Sequence, residues 1–511
     1  MKALIRSKHL PIFLLLLTAL LVGVFTVKDY GESWDEADIY RYGDYALNAY
    51  RYILHPSDLL AFNTNLNLYG PGYYVAADLS AHLINRVIPN WSLINAWHFI
   101  YFLTFLECAL VIYLLSGRWM NGPAAFGVTL LFLSQPLLWG HAFINPKDIP
   151  FMAFFTTSIY TGLRMVDKVY DSSKQTFVVI LAGVLLGFTS SFRVVGPLAG
   201  LLVLGYAVYK LRSKTVMLAI LYLAISGITV YLTWPYLWGS LIPHYVESLK
   251  TMSQFPFATD ILYEGKLFKA NQLPNTYFPT LLGIQLTEPA LLLMMIGLIT
   301  SIVFIFKKET AEPIFLFLGW FLLPTLVIIG TGSPLYDNAR QLYFLYPPLF
   351  VLTGIAIEKI FTFLTHPLGK AAFLFIVALP GILVAARLHP YEYIYYNAFV
   401  GGTGGAYRNF EMDYWGTSFK AITENLNSVA PEDARVLVFG PEQIVEQYAR
   451  SDIQVFIPEQ QPTTTYNYVA FLTRENLDER HCKGAQTVES VNRRGAILSV
   501  LKSIPIGSEC K

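Results

Sequence analysis

Two short segments hold the ionisable residues best placed for chemistry. Ser33-Trp34-Asp35-Glu36-Ala37-Asp38 follows the first apolar run, and His141-Ala142-Phe143-Ile144-Asn145-Pro146-Lys147-Asp148 lies between two later ones. Arg193 and Arg340 stand at the ends of further apolar runs. Ionisable groups beside hydrocarbon are costly and often mark function: carboxylates there can move protons, and lysine or arginine can hold an anion. Each residue also has a plain structural reading. Ser33 and Glu36 fit an S-x-x-E capping box. Asn145-Pro146-Lys147-Asp148 fits an N-cap, a proline at the first helical position and an acid in the first turn. Arg193 and Arg340 could snorkel to an interface, and His141, beside Trp139, could be an ordinary interfacial residue. What singles the set out is that the topology derived next puts all of it on one face.

Composition requires a membrane to position these residues. Of 511 residues, 54% are hydrophobic and 14% charged, where about 25% charged is usual. A net charge of +1 offers no footprint for nucleic acid, and three cysteines make no disulfide framework or spaced metal quartet. Apolar runs lie near 10–27, 93–116, 123–140, 150–166, 176–192, 194–209, 215–234, 289–306, 312–330, 341–358 and 371–386. Each approaches the ~20 residues that cross a bilayer, which predicts about 11 transmembrane helices. The first follows Lys2, Arg6 and Lys8, but Val22-Gly23-Val24-Phe25 is a poor cleavage site, so it reads as a retained helix.

Lysine and arginine set the orientation. With the N-terminus in the cytoplasm, the inner connections hold Arg118; Arg164, Lys168 and Lys174; Lys210, Arg212 and Lys214; Lys307 and Lys308; and Lys359 and Lys370. The outer side then receives loops at about 28–92 and 235–288 and the tail at 397–511. That tail alternates strand-like runs, Arg435–Phe439, Gln454–Ile457 and Tyr468–Leu472, with a helix-like Glu442–Arg450 and a hairpin turn at 491–495. It predicts a small C-terminal α/β domain outside, beyond a membrane body at 1–396. Cys482 and Cys510 fall in it and could pair in an oxidising compartment.

Tyr69-Gly70-Pro71-Gly72 is a rigid turn leading into Tyr73–Ile88, which reads equally as an interfacial amphipathic helix or as a loop packed on the bundle. Gly401-Gly402-Thr403-Gly404-Gly405 lacks the strand and Lys-Ser/Thr of a P-loop and reads as a hinge. The tyrosines of 391–396 read as an aromatic belt anchoring the last helix.

These features together resemble the GT-C glycosyltransferases, in the branch of protein O-mannosyltransferases and aminoarabinose transferases. The likeness rests on Asp35-Glu36 opening the first outer loop, Asn145-Pro146-Lys147-Asp148-Ile149-Pro150, and His389-Pro390-Tyr391-Glu392-Tyr393 with Asn397, Gly401-Gly402 and Asp413-Tyr414-Trp415-Gly416. It spans the membrane part and the start of the tail; beyond about 430 nothing matches. The resemblance implies transfer of a sugar from a polyprenyl-phosphate donor to an acceptor hydroxyl, with inversion, on the extracytoplasmic face. The acceptor would be a lipid, a glycan or a protein. Among the catalytic carboxylates Asp35 would be the base; Glu36 would orient the loop or the acceptor, and Asp148 would shape the cavity or hold a metal or the acceptor. Lys147, Arg193 and Arg340 would stabilise the departing phosphate, while Tyr69 and His141 would line the acceptor cavity. The aminoarabinose branch carries a lysine before a Pro-Pro motif in the first outer loop; Tyr69-Gly70-Pro71-Gly72 has none. The compartment implied is a bacterial inner membrane with a periplasmic site.

No cofactor follows from the residues, although Asp35, Glu36 and Asp38 leave a divalent metal open. No Gly-rich strand–turn–helix for a nucleotide sugar precedes a candidate acid. The main alternative is a membrane transporter, whose binding residues would sit at the bilayer midplane between repeats. A non-catalytic membrane scaffold or receptor, and a polymerase or ligase with a pyrophosphate-linked donor, are further alternatives.

Overall fold

A computed structural model describes residues 9–51, 65–170, 175–212, 215–306, 311–458 and 466–504. The predicted inner-face lysines at 174, 214, 307 and 308, and Cys510, lie outside the described residues. Every one of the eleven apolar runs is helical, from Leu10–Thr26 to Pro367–Leu388. Among the described residues six helices are long and apolar enough to cross a bilayer: Leu93–Ser116, Thr215–Thr233, Glu288–Ile305, Pro313–Thr331, Arg340–Phe363 and Pro367–Leu388. The chain is therefore a multi-pass membrane protein.

The run at 123–140 departs from the expected single helix. It breaks into Gly122–Leu133 and Pro136–Ile144, which meet at 65°. Pro136 has no N–H to continue the ladder, and the Gln135 amide donates to Leu131 O at 2.8 Å and to Thr287 Oγ1 at 3.2 Å. The bend sends Pro136–Ile144 across the bundle, where Gly140 meets the chain leaving the last helix. A Cβ on Gly140 would lie 2.3 Å from Tyr393 N, so only glycine allows the approach. Pro324 and Pro380 sit inside helices Ala311–Thr331 and Pro367–Leu388.

Helices Gly72–Val87 and Leu241–Ser253 are amphipathic. Helix Gly72–Val87 buries Tyr73, Tyr74, Ala77 and Ala81 and exposes Leu79, Leu83 and Val87. Helix Leu241–Ser253 exposes Leu241, Ile242 and Leu249. A hairpin of β1 (Ile261–Tyr263) and β2 (Lys266–Phe268) follows.

The tail builds a five-stranded sheet from β3 (Arg435–Phe439), β4 (Gln454–Phe456), β5 (Tyr468–Leu472), β6 (Gln486–Arg493) and β7 (Ala496–Ser503), in the order β4-β3-β5-β7-β6. β3 runs parallel to both β4 and β5, and the final hairpin adds antiparallel. Helix Glu442–Tyr448 connects β3 to β4. Cys482 is disulfide-bonded.

The tyrosines of 391–396 do not form a lipid-facing belt. Tyr391, Tyr393, Tyr395 and Tyr396 are all buried, because the chain from 397 to 418 folds back over them. Tyr393 Oη donates to Asp413, and Tyr396 Oη donates to Glu411 O at 3.0 Å.

Candidate active site

Asp35 precedes helix Glu36–Arg51 on a loop gripped by the tail. Trp34 N–H donates to Trp415 O at 2.8 Å, and Gln443 Nε2 donates to Trp34 O at 3.0 Å. With Trp34 held at both its N–H and its carbonyl, the Asp35 side chain stays 28% exposed. Lys147 Nζ donates to Asp35 Oδ2 at 2.9 Å, and Arg340 Nη2 stands 3.7 Å from the same oxygen. Burial pushes the Asp35 carboxyl up, but Lys147 and Arg340 outweigh it and hold its pKa below the ordinary carboxylate value.

Glu36 faces elsewhere. Its fully buried carboxylate accepts from Ser33 N–H at 2.6 Å and Tyr40 Oη at 3.0 Å, and contacts His98 Nε2 at 3.1 Å. This is half of the capping box, since Ser33 Oγ makes no hydrogen bond. Asp38 pairs with Arg41 on the surface at 2.6 Å. Asp35, Glu36 and Asp38 are thus committed to separate partners and do not fit one oxygen site for a divalent cation.

Asp148 opens helix Asp148–Asp167. Asn145 Oδ1 caps that start, accepting from Lys147 N–H at 3.1 Å and Asp148 N–H at 2.8 Å. The Asp148 carboxylate is buried and accepts from Arg193 Nη2, from Arg340 Nη1 at 2.8 Å and from Asn145 Nδ2 at 3.0 Å. Both of its oxygens are therefore engaged by donors. Arg193 lies in the turn before helix Pro197–Leu211. That turn meets the Tyr69 loop, where Gly70 N–H donates to Ser191 O at 2.7 Å and a Cβ on Gly70 would sit 2.4 Å from the same oxygen. The contact sets the Tyr69 ring 5.6 Å from Lys147 Nζ and 6.0 Å from the Arg193 guanidinium.

Arg340 follows three successive left-handed residues, Asp337, Asn338 and Ala339, with φ of 52°, 57° and 55°. Such a run is strained for residues with a Cβ and persists only where the surroundings dictate it. Here it lets Arg340 reach Asp148 while its Nε and Nη2 donate to Asp337 Oδ2 at 3.1 and 3.0 Å. The guanidinium lies over Trp415, 4.3 Å from the ring centre.

Lys147, Arg193, Arg340 and Tyr69 line one end of a cavity of about 760 Å³. Most of its remaining wall is apolar, including Leu198, Leu201, Leu249, Leu323, Val327 and Ile328. Leu201, Leu323 and Val327 are also exposed on the flank of the helix bundle. His141 is placed outside the cavity and wholly buried. Trp415 Nε1 donates to its Nδ1 at 3.3 Å, so Nε2 carries the proton donated to Tyr414 Oη at 2.8 Å.

Sequence reasoning missed the tail's share. Arg474 reaches the cluster from the turn after β5 and donates to Asp337 Oδ1 at 2.8 Å; Glu411 lies 3.4 Å from the same guanidinium. No local signal marks Arg474, whose neighbours Thr473, Glu475 and Asn476 are ordinary turn residues.

No family model matches the chain, and no curated protein matches it by sequence. Solved structures do. ArnT from Cupriavidus metallidurans in the apo state aligns over 97% of this chain and 98% of its own at 12% identity and TM-score 0.53. The same protein bound to undecaprenyl phosphate aligns over the same shares at 13% identity and TM-score 0.51. The Archaeoglobus fulgidus oligosaccharyltransferase tethered to an acceptor peptide aligns over 89% of this chain at 13% identity and TM-score 0.53. This chain spans only 64% of that one. At such identities the likeness is one of fold.

Proposed function

We propose that this chain, which carries the GT-C fold, is an integral-membrane glycosyltransferase that moves a sugar from a polyprenyl-phosphate donor to an acceptor hydroxyl, with inversion. The observation that carries the reading is the cavity: three cations at one end, largely apolar walls open to the flank, and a partly exposed carboxylate beside the cations. A phosphate on an isoprenoid chain has the matching chemistry, an anion at one end and hydrocarbon behind it. The lipid bound in the ArnT neighbour is of that kind.

In the reaction, Asp35 takes the proton of the acceptor hydroxyl as its oxygen attacks the anomeric carbon. The bond from that carbon to the phosphate oxygen breaks, and the electron pair leaves with the lipid phosphate, held by Lys147, Arg193 and Arg340. Asp148 aims the two arginines. A donor phosphate that draws Lys147 from Asp35 makes the carboxylate more basic at the moment it must act. Glu36 holds the loop and touches neither reactant. The site lies on the extracytoplasmic side, the membrane body at 1–396 carries the donor groups, and the domain at 397–511 closes over them. A lipid, a glycan or a protein can each supply the acceptor hydroxyl.

The test uses purified protein in lipid with a panel of polyprenyl-phosphate sugars and acceptors, reading release of free polyprenyl phosphate. Release that needs an acceptor and falls about 10²–10⁴-fold in Asp35→Asn is expected. A fully active, folded Asp35→Asn removes Asp35 as base. Failure of wild type to bind any polyprenyl phosphate overturns the reading and favours the transporter.

A further inference from the structure

We propose that Arg474, delivered by the C-terminal domain, is a positioning residue of the phosphate-binding end of the cavity: it holds Asp337, and Asp337 aims Arg340. The inference rests on the transferase reading above and assigns the tail a working part in it.

The sheet topology explains how the tail reaches so far. In the parallel part, β4-β3-β5, the chain leaves β3 toward one neighbour and returns to the other, so the connections diverge between β3 and β5. Loops at the carboxyl ends of such strands flank a crevice, the usual ligand position in open α/β sheets. Here Gly440–Gln443 follows β3 and Thr473–Asn476 follows β5. The crevice holds the protein's own active-site backbone. Gly416, at φ 72°, fits so closely that a Cβ would lie 2.6 Å from Pro441 Cγ. Gln443 takes Trp34 O, as described, and the Arg474 guanidinium stands 5.9 Å from the Trp34 ring centre.

Arg474 is built for a fixed role. Its side chain is 6% exposed, and its turn contains Glu475 and Asn476 in left-handed conformations, φ 54° and 58°. The two oxygens of Asp337 are divided between two arginines, Oδ1 to Arg474 and Oδ2 to Arg340. Without Arg474 the Asp337 charge is set against Arg340 alone, which cancels cationic potential at the cavity and frees Asp337 to turn. Glu411 is the weaker partner of Arg474: it lies 3.4 Å away against 2.8 Å for Asp337, and burial, partly offset by Arg474, raises its carboxyl and so weakens its hold on the guanidinium.

The experiment measures binding of undecaprenyl phosphate to full-length protein in lipid, for wild type, Arg474→Gln, Asp337→Asn and the double variant. Arg474→Gln is expected to weaken binding about tenfold in the wild-type background and less than about twofold in the Asp337→Asn background, because its effect passes through Asp337. Equal losses in both backgrounds would show an arginine that merely glues the tail in place, and no loss in either would remove it altogether. If Arg474→Gln does not fold, Arg474→Lys carries the same comparison, keeping the charge but losing the fork. A wild type that fails to bind undecaprenyl phosphate sinks the transferase reading itself, whereas wild-type binding with uncoupled variants sinks only the role of Arg474.

Discussion

Asp148 and Arg340 lie 192 positions apart in the chain and meet at 2.8 Å, with Arg193 closing the other carboxylate oxygen. That buried carboxylate lies between the two guanidinium groups and, together with Asp337 on Arg340, offsets their repulsion.

Asp148→Ala therefore removes the carboxylate between Arg193 and Arg340, leaving Arg340 with Asp337. A loss of about 3–5 kcal/mol is expected, measured by thermal or denaturant unfolding in lipid. Asp148→Asn, which keeps the shape without the charge, should fall between this variant and wild type. An Asp148→Ala protein as stable as wild type would contradict the structural role assigned here.

Glu36 tests the division of labour between adjacent acids. Glu36→Gln keeps an acceptor for Ser33 N–H and should retain activity within about tenfold, far from the loss expected for Asp35→Asn. Glu36→Ala should cost about 1–3 kcal/mol of stability, since Tyr40 and His98 lose their buried partner. Turnover as low in Glu36→Gln as in Asp35→Asn would place Glu36 in the chemistry.

The apolar wall predicts a steric block. Val327→Trp projects into the cavity from helix Ala311–Thr331 and should weaken polyprenyl-phosphate binding at least about tenfold with little change in unfolding temperature. Unchanged binding would mean that the lipid lies elsewhere.

Glu411 gives a pH signature. Its carboxyl is raised by burial from 4.5 to about 8, so the folded state holds the proton more tightly than the unfolded one. The resulting stability is complete below about pH 4.5 and is lost as pH rises through about 8. Glu411→Gln cannot release a proton, so its unfolding temperature should fall less between pH 6 and 9 than that of wild type, by roughly several degrees. Parallel curves would refute the assignment.

The apolar helices were legible because span length and hydropathy are local properties, and β3, β4 and β5 because each is a short β-branched or aromatic run bounded by turns. Asp35, Lys147, Asp148, Arg193 and Arg340 stood out as charges at the ends of apolar runs. Their division into pairs did not, since Lys147 chooses Asp35 and Arg340 chooses Asp148 only in three dimensions. His98, the partner of Glu36, is hidden inside the apolar helix Leu93–Ser116, where one histidine has no pattern. The tyrosines of 391–396 misled because rings at the end of a span look alike whether lipid or protein covers them. Arg474 was invisible for the opposite reason, being one charge among many in a polar tail.

The grip of Gln443 on Trp34 spans 409 positions of chain. At about 5–20 residues per second of synthesis, the acidic loop waits roughly 20–80 s before its second clamp exists. Through that interval the nascent protein carries its charged residues without the arrangement that makes them act together. Trp415 and Gln443 both lie beyond the last membrane helix, so a chain halted at that helix would hold the acidic loop with neither clamp.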